Sequence, residues 1–259
     1  MIGRTRLPLG TVYGVMLFAL YLPIVILAIF SFNDDTSLSF PLDGFTLKWY
    51  GAVFGDRALL GAAQTSLIVG AVAASAATLL GFAVSLALLR FVFRGRTALV
   101  GLSAAPLIVP FVGLGIALFL LFNLLGLPRS FLTVAIGHSV VALPFAVLIL
   151  VARMIGLDPA MEDAAMDLGA SYPTTLRKVI VPLLGPTLIA AWLTCFLVSF
   201  DEVALANFLA GSDPTFPVFL YGQLRFGQRL PVLIAMAVIL MIGSIVLTLI
   251  ANRLRERNA

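Results

Sequence analysis

Long apolar stretches separated by short polar segments run along the whole chain. Each of six stretches matches the roughly 20 residues that an α-helix needs to cross a bilayer core about 30 Å thick. Hydropathy fixes the existence of such helices better than their ends. The predicted spans are residues 11–32, 64–89, 98–125, 131–152, 186–207 and 231–252. The pattern therefore predicts an all-α membrane protein with six transmembrane helices.

The composition agrees with this class. Hydrophobic residues make up 61% of the chain, charged residues make up 11%, and the mean hydropathy is +1.13, far outside the range of soluble domains. The longest connection, residues 33–63, mixes glycines and a proline with Trp49, Tyr50 and Phe54, which is typical of a loop anchored at the membrane interface. We therefore expect residues 1–63 to form a first helix with an external interfacial loop, and residues 64–259 to form a five-helix core.

The orientation follows from Lys and Arg, which accumulate on the cytoplasmic side of membranes. With a cytoplasmic N-terminus, eleven of the sixteen basic residues fall in inner segments. They are Arg4, Arg6, Arg90, Arg94, Arg96, Arg153, Arg177, Lys178, Arg253, Arg255 and Arg257. Both termini are thus predicted to be cytoplasmic. The net charge of +4 follows from this bias and suits anionic lipid headgroups rather than nucleic acid.

The first apolar run continues to Phe32 without a small-residue cleavage site, which favours an uncleaved helix over a secretory signal peptide. Pro106 and Pro110 in the third span and Pro144 in the fourth remove helix hydrogen bonds that lipid cannot replace. They indicate kinks, either lining a cavity or static. Residues 70–81 of the second span are mostly small and allow helices to approach closely, within the chain or between chains.

The segment between the fourth and fifth spans, residues 158–182, has the pattern of a short amphipathic helix. Asp158 can cap its first turn, and Glu162 and Asp163 favour the positive end of its dipole. Met161, Ala164, Ala165 and Leu168 recur at helical spacing and form one apolar face, with the acids turned away from it. Gly169 is placed to end the helix.

A second short helix is predicted to begin at Ser171 and to carry Leu176, before Pro182 and Pro186 redirect the chain into the fifth span. The residues alone allow two interpretations of this helix pair. It either inserts into a groove of a partner protein or simply connects two spans.

The loop contains Asp163-Ala164-Ala165, then three residues and Gly169, and later Val179-Ile180-Val181-Pro182. This pattern resembles the EAA loop of ABC-importer permeases. Asp163 stands where that family has Glu, and Val179 and Val181 stand at its Ile and Leu positions. The likeness extends to Gln64–Leu67 and to Pro106–Gly115. It implies the type I importer permease (MetI-like) fold and a loop that docks on an ATPase. The docking residues it implies are Glu162, Asp163, Ala164, Ala165, Gly169, Ala170, Ser171, Leu176 and Pro182.

The resemblance also implies partners. They are a dimer of cytoplasmic ABC ATPases, a second permease expected to be a different chain, and an external or periplasmic substrate-binding protein, all around a multi-pass protein of the bacterial inner membrane. The sequence contains no Gly-x-x-x-x-Gly-Lys-Ser/Thr motif. We therefore expect no cofactor on this chain, with ATP and Mg on the partner ATPase, and no catalytic residues.

A narrower resemblance concerns the cargo. Three further segments are Ser199-Phe-Asp-Glu-Val203, Pro217–Tyr221 and Leu224–Gly227. They are similar to the spermidine/putrescine type of permease, a group that also handles opines. This implies a path for a small organic cation. Permeases for iron, sulfate or amino-acid derivatives have the same core and remain alternatives, and an ATP-independent channel or secondary carrier is a third.

Asp201 and Glu202 are the acids predicted to lie inside a span, where a carboxylate is costly enough to suggest a function. Helical spacing puts Thr194 and Asp201 on one face and Cys195, Ser199 and Glu202 on the next, a polar strip that could line a cation path. Alternatively, the helix ends earlier and both acids are solvated or pair with Arg225 or Arg229.

His138 in the fourth span lies at a similar predicted depth. A hydrogen bond across the bundle or a role in gating would both fit, and a packed, satisfied polar group is the favoured interpretation. The sequence contains no metal-ligand set and no nucleophile triad.

Overall fold

The computed structural model describes residues 9–256, which are mainly helical. An isolated antiparallel bridge joins Asn33 to Phe45. The α-helices are α1 Leu9–Phe30, α2 Lys48–Gly55, α3 Arg57–Arg90, α4 Arg96–Ala104, α5 Phe111–Leu124, α6 Phe131–Ile155, α7 Ala160–Asp167, α8 Tyr172–Thr175, α9 Val181–Phe200, α10 Ala206–Leu209, α11 Phe216–Gln223 and α12 Leu230–Glu256. Short 3₁₀ segments cover Ala105–Leu107 and Gly227–Arg229, and a π-helical segment covers Leu176–Ile180.

Four helical segments in the described part are long and apolar enough to cross a membrane. They are Gly10–Phe30, Arg57–Arg90, Phe131–Ile155 and Tyr172–Phe200. Three of them cover the predicted spans 11–32, 64–89 and 131–152, apart from one or two end residues. The sixth predicted span, 231–252, falls in α12, where a shorter apolar helical segment, Gly227–Gly243, begins in the 3₁₀ turn before α12. Arg4, Arg6 and Arg257, which entered the prediction of orientation, lie outside the described residues.

The third predicted span, 98–125, is broken in the region where its prolines predicted a kink. The helical segments Arg96–Leu107 and Phe111–Leu124 meet at an angle of 110°, as a broken span or a re-entrant loop. Pro110 caps α5 with φ −56° and ψ 133°, which is extended backbone. A proline has no N–H for a helix and disfavours helical backbone in the residue before it, so the chain turns at this point.

The described residues divide into two compact units, residues 9–60 with 220–256, and residues 61–219. In the first unit, the buried Asn33 organises the loop that follows α1. Its side-chain amide donates to the Ser37 carbonyl at 3.0 Å, and its side-chain oxygen accepts from the Asp43 N–H at 3.1 Å. Hydrogen bonds from Ser37 and Thr36 lower the pKa of Asp35 in this loop. The aromatic rings of Phe40, Phe45 and Phe54 are exposed.

In the second unit, small side chains let α3, α6 and α9 pack closely. Ala74, Ala77, Ala142, Ala146 and Cys195 form one buried cluster. At Gly81 of α3, an added Cβ would lie 2.6 Å from the Cβ of Ala146 on α6. The small residues of α3 thus serve packing within the chain, one of the two roles that the sequence left open.

Candidate coupling loop and substrate path

The loop helix α7 begins and ends as the sequence predicts. The Asp158 carboxylate accepts a hydrogen bond from the Ala160 N–H at 2.9 Å. At the other end, Gly169 has a φ of +85°, and its N–H donates to the Met166 carbonyl at 2.9 Å. The Ala170 N–H reaches back to the Ala165 carbonyl at 3.1 Å. This pair of bonds is the Schellman arrangement that favours glycine at the helix end.

Most of the apolar face of α7 is exposed. The exposed fractions are 90% for Leu168, 38% for Met161 and 40% for the neighbouring Met166. Asp163 and Ala164 are also exposed, whereas Ala165 is half-buried. We call the exposed apolar residues Met161, Ala164 and Leu168 the docking face. Such a cluster of apolar side chains on a projecting helix is typical of a surface that a partner covers.

Glu162 lies apart from the docking face. It is 8% exposed, and its Oε1 atom accepts a hydrogen bond from Nε of Arg90 at 2.7 Å and lies 2.6 Å from Nη2. Arg90 is the last residue of α3, so this ion pair ties α7 to the end of a long helix. From the sequence, Arg90 bears only on orientation, because nothing in the spacing of the two residues signals their pairing.

The other residues proposed for docking divide by exposure. Gly169, Ser171 and Pro182 are exposed, whereas Ala170 and Leu176 are half-buried. Leu176 packs against a cluster of Met154, Leu157, Ile180 and Leu184. It therefore supports the base of the loop.

The prediction of a separate second helix, redirected at Pro182 and Pro186, is wrong. Residues Tyr172–Phe200 form one helical run in which Leu176–Ile180 is π-helical. The Val181 N–H donates to the Leu176 carbonyl five residues earlier. Pro182 has no N–H and its ring crowds the preceding turn, and the wider π turn before it accommodates the ring without a break.

The predicted end of the fifth span is also wrong, because α9 ends at Phe200 and not at residue 207. Asp201 and Glu202 therefore follow the helix rather than lie within it. The carboxylate of Glu202 accepts hydrogen bonds from the N–H groups of Leu205 and Ala206 at 2.8 and 2.9 Å. These bonds begin the next helical turn, α10, and so the chain leaves α9 at this point.

Glu202 belongs to a buried polar cluster with His138 and Ser199. Nε2 of His138 lies 3.4 Å from Oε2 of Glu202, and Nδ1 of His138 lies 2.8 Å from Oγ of Ser199. The exposed fractions are 1%, 3% and 6% for His138, Ser199 and Glu202. Glu202 therefore faces His138 within the second unit. His138 makes a hydrogen bond across the bundle, to Ser199, which the sequence left open as one possibility.

The two faces of the predicted polar strip differ in exposure. Cys195, Ser199 and Glu202 are buried in the second unit. On the other face, Thr194 is half-buried and donates to the Ala190 carbonyl at 2.9 Å. Asp201 is exposed, and its carboxylate has no hydrogen-bond or ion-pair partner among the described residues. Of the candidates for the substrate path, Asp201 is thus the carboxylate free to meet a solute.

No group of three or more His, Cys, Asp or Glu side chains within residues 9–256 is arranged to hold a metal ion. The two candidate regions offer a contact surface, the docking face, and an exposed charge at Asp201.

Comparison with known proteins now decides the family. Residues 77–258 match the family described as "Binding-protein-dependent transport system inner membrane component". The chain belongs to this family. The resemblance inferred from the loop at 163–182 is thereby confirmed, and the chain is a membrane transport component of the ABC permease type rather than an enzyme.

Curated relatives cover nearly the whole chain. The spermidine/putrescine transport system permease protein PotC of Escherichia coli K12 is 38% identical over 240 residues, which is 92% of this chain and 90% of that protein. PotC of Haemophilus influenzae is 33% identical over 92% of this chain and 93% of its own length. The putrescine transport system permease protein PotI of E. coli K12 is 32% identical over 92% of this chain and 89% of its own.

A solved structure shares the fold. A chain of a bacterial ABC transporter involved in the import of the acidic polysaccharide alginate superposes with a TM-score of 0.73 and 16% identity, over 94% of both chains. The same transporter in complex with an alginate pentasaccharide-bound periplasmic protein gives a TM-score of 0.72 and 16% identity over 96% of this chain and 93% of that chain. These structural matches confirm the predicted importer-permease fold.

Proposed function

We propose that this chain is one permease subunit of an ATP-driven importer for spermidine, putrescine or a similar small organic cation. The observation that carries the proposal is the 38% identity to a spermidine/putrescine permease over 92% of the chain. The exposed, unpaired carboxylate of Asp201 supports a cationic cargo, because it offers charge to a passing ammonium group.

The complete transporter contains this chain, a second and different permease chain, a dimer of cytoplasmic ABC ATPases and an external binding protein. Six spans with both termini in the cytoplasm place α7 on the inner face of a bacterial inner membrane. ATP and Mg bind to the ATPase partner. Its closure pushes on the docking face, and the helical run Tyr172–Phe200 carries the displacement across the membrane.

Uptake by the complete transporter tests the cargo. Proteoliposomes that contain this chain with its ATPase, second permease and binding protein are expected to accumulate radiolabelled spermidine or putrescine only when ATP is supplied to the ATPase side. Excess sulfate, ferric iron or a neutral amino acid should not compete. ATP-dependent uptake of one of these solutes without uptake of polyamine would overturn the proposed cargo and leave the family assignment intact.

The substitution Asp201→Asn tests the path. It removes the exposed carboxylate and is expected to lower polyamine uptake about tenfold, since a hydrogen bond to a charged group contributes about 1.5 kcal/mol and 1.4 kcal/mol is tenfold. Asp213→Asn is the matched control, because Asp213 is also exposed. Equal uptake by the two variants would remove Asp201 from the path.

The substitution Leu168→Glu tests the docking face. A charge in the middle of an apolar contact is expected to abolish the stimulation of ATP hydrolysis by the loaded binding protein. Asp167→Asn is the control, since it changes the neighbouring exposed side chain and leaves the apolar face intact. Unchanged stimulation in the Leu168 variant would contradict docking through this face.

A further inference from the structure

A cavity of about 400 Å³ lies in the second unit, where α5 ends and α6 begins. It is lined by Phe119, Phe122, Asn123, Leu127, Pro128, Arg129, Thr133 and Leu209. None of these residues belongs to the docking face or to the polar cluster around Glu202, so the cavity is separate from both candidate regions.

Two polar side chains of this cavity, Arg129 and Asn123, are free for a ligand. Neither the guanidinium of Arg129 nor the side-chain amide of Asn123 has a hydrogen-bond or ion-pair partner among residues 9–256. Arg129 is the single charged residue of the lining. A polyamine would be repelled by this charge, whereas an anion would be attracted. The cavity therefore suits a negatively charged ligand.

The beginning of α6 adds to the positive potential. Ser130 and Thr133 form a capping box that satisfies two backbone N–H groups there. The remaining N–H groups of the first turn have no acceptor within the helix, and the positive end of the helix dipole favours an anion. This end of α6 directly follows Arg129 in the chain, and an oxyanion beside both would be held by charge and by hydrogen bonds.

Much of the cavity lining and its sequence neighbours is apolar. Leu124 and Leu125 next to it are 84% and 62% exposed, and Phe119, Phe122 and Leu127 form an apolar wall. The 25 residues of α6 give a helix about 37 Å long, slightly more than a bilayer core of about 30 Å. The cavity thus lies one membrane thickness away from the α7 end of α6, at the depth of lipid headgroups.

We propose that this cavity binds the phosphate of an anionic phospholipid from the leaflet opposite to α7. Arg129 and Asn123 contact the phosphate oxygens, and the acyl chains lie along the apolar wall and the exposed leucines. Charge complementarity and the adjacent apolar rim favour a lipid over a free phosphate ion. A free phosphate ion would contact Arg129 and Asn123 alone.

The test uses the complete transporter in nanodiscs of phosphatidylcholine, titrated with phosphatidylglycerol, with retained lipid detected by native mass spectrometry. Arg129→Gln is expected to weaken retention of phosphatidylglycerol about fivefold, the effect of one basic residue at an anionic surface. Arg57→Gln is the matched control, because Arg57 is exposed and lies outside the cavity. It should change retention less than twofold.

A second variant separates the cavity from its charge. Leu127→Trp fills part of the cavity and keeps Arg129, so it should also lose the retained lipid, and it decides the question if the Arg129 variant fails to assemble. Equal retention by the wild type and the Leu127 variant, or by the Arg129 and Arg57 variants, would overturn the proposal. Displacement of phosphatidylglycerol by millimolar inorganic phosphate would instead assign the site to a free anion and would also overturn it.

Discussion

The two adjacent acids Asp201 and Glu202 have different environments because only one of them meets backbone donors. Glu202 is buried, and its oxygens accept from two N–H groups and face His138. A buried carboxylate is tolerated where such partners replace water. Asp201, one residue earlier, is exposed. Glu202 therefore holds the turn after α9, and Asp201 stays available at the surface.

The substitution Glu202→Gln should destabilise the protein by about 2 kcal/mol. The amide NH₂ of Gln cannot accept the hydrogen bond that one carboxylate oxygen of Glu202 accepts, so one buried backbone N–H loses its acceptor. The measurement is the thermal unfolding of the purified transporter in detergent. Asp201→Asn is the control and should change stability by less than about 0.5 kcal/mol, as surface substitutions usually do. Similar shifts for both variants would show that the buried cluster does not stabilise the turn.

The sequence could not tell these two acids apart. Both are carboxylates at the end of an apolar run, and hydropathy continues smoothly to residue 207. The helix ends at Phe200 because Glu202 captures the N–H groups of the next turn, a local competition for donors that periodicity does not record. His138 is buried in the bundle, and its neighbours Ser199 and Glu202 are visible only in the fold.

At the scale of helices, α3 and α6 depend on a contact that leaves no room for a methyl group. Gly81→Ala places a Cβ 2.6 Å from the Cβ of Ala146 and 3.3 Å from its backbone, and overpacking of this kind costs about 1–3 kcal/mol. We expect a lower unfolding midpoint in detergent. Gly61→Ala lies in the same helix with nothing within 4 Å and should gain up to about 1 kcal/mol of helix propensity. A Gly81 variant as stable as the Gly61 variant would refute the close contact.

The ion pair between α3 and α7 makes a second prediction at this scale. Both Arg90 and Glu162 have side chains less than one fifth exposed, at 16% and 10%. In a double-mutant cycle of Arg90→Gln and Glu162→Gln, we expect a coupling energy of about 1–3 kcal/mol from unfolding measurements. The pair Lys48 and Asp34, 48% and 55% exposed, serves as the control and should give less than about 1 kcal/mol. Coupling no larger than in the control would mean that the pair does not fix α7.

Helix existence could be predicted from hydropathy, and helix continuity could not. The runs that became α1, α3 and α6 were correctly placed, and so were the caps of α7 at Asp158 and Gly169. The effect of proline was predicted correctly at Pro110 and wrongly at Pro182. Pro110 breaks the third span with a 110° bend, whereas Pro182 sits inside a continuous run. Whether a proline bends a helix depends on how the turn before it is relieved, which residue type alone does not specify.

At the scale of the whole molecule, six spans and cytoplasmic termini can be tested by labelling. In a Cys195→Ser background, single cysteines are introduced by Phe45→Cys and Leu168→Cys, two positions that are 80% and 90% exposed. A membrane-impermeant maleimide should label position 45 in intact cells, and position 168 only after permeabilisation and without the ATPase. The positive-inside distribution is the physical reason. Labelling of position 168 in intact cells would reverse the orientation.

The π-helical turn at Leu176–Ile180 has a consequence for direction. Each residue of an α-helix rotates the chain by about 100° around the helix axis. A turn that contains one additional residue therefore rotates the residues before it relative to the residues after it. This turn lies between α9 and the segment that carries α7. A single additional residue thus sets the angular position of the docking face about the axis of the fifth helix. The length of the helix does not affect this angle.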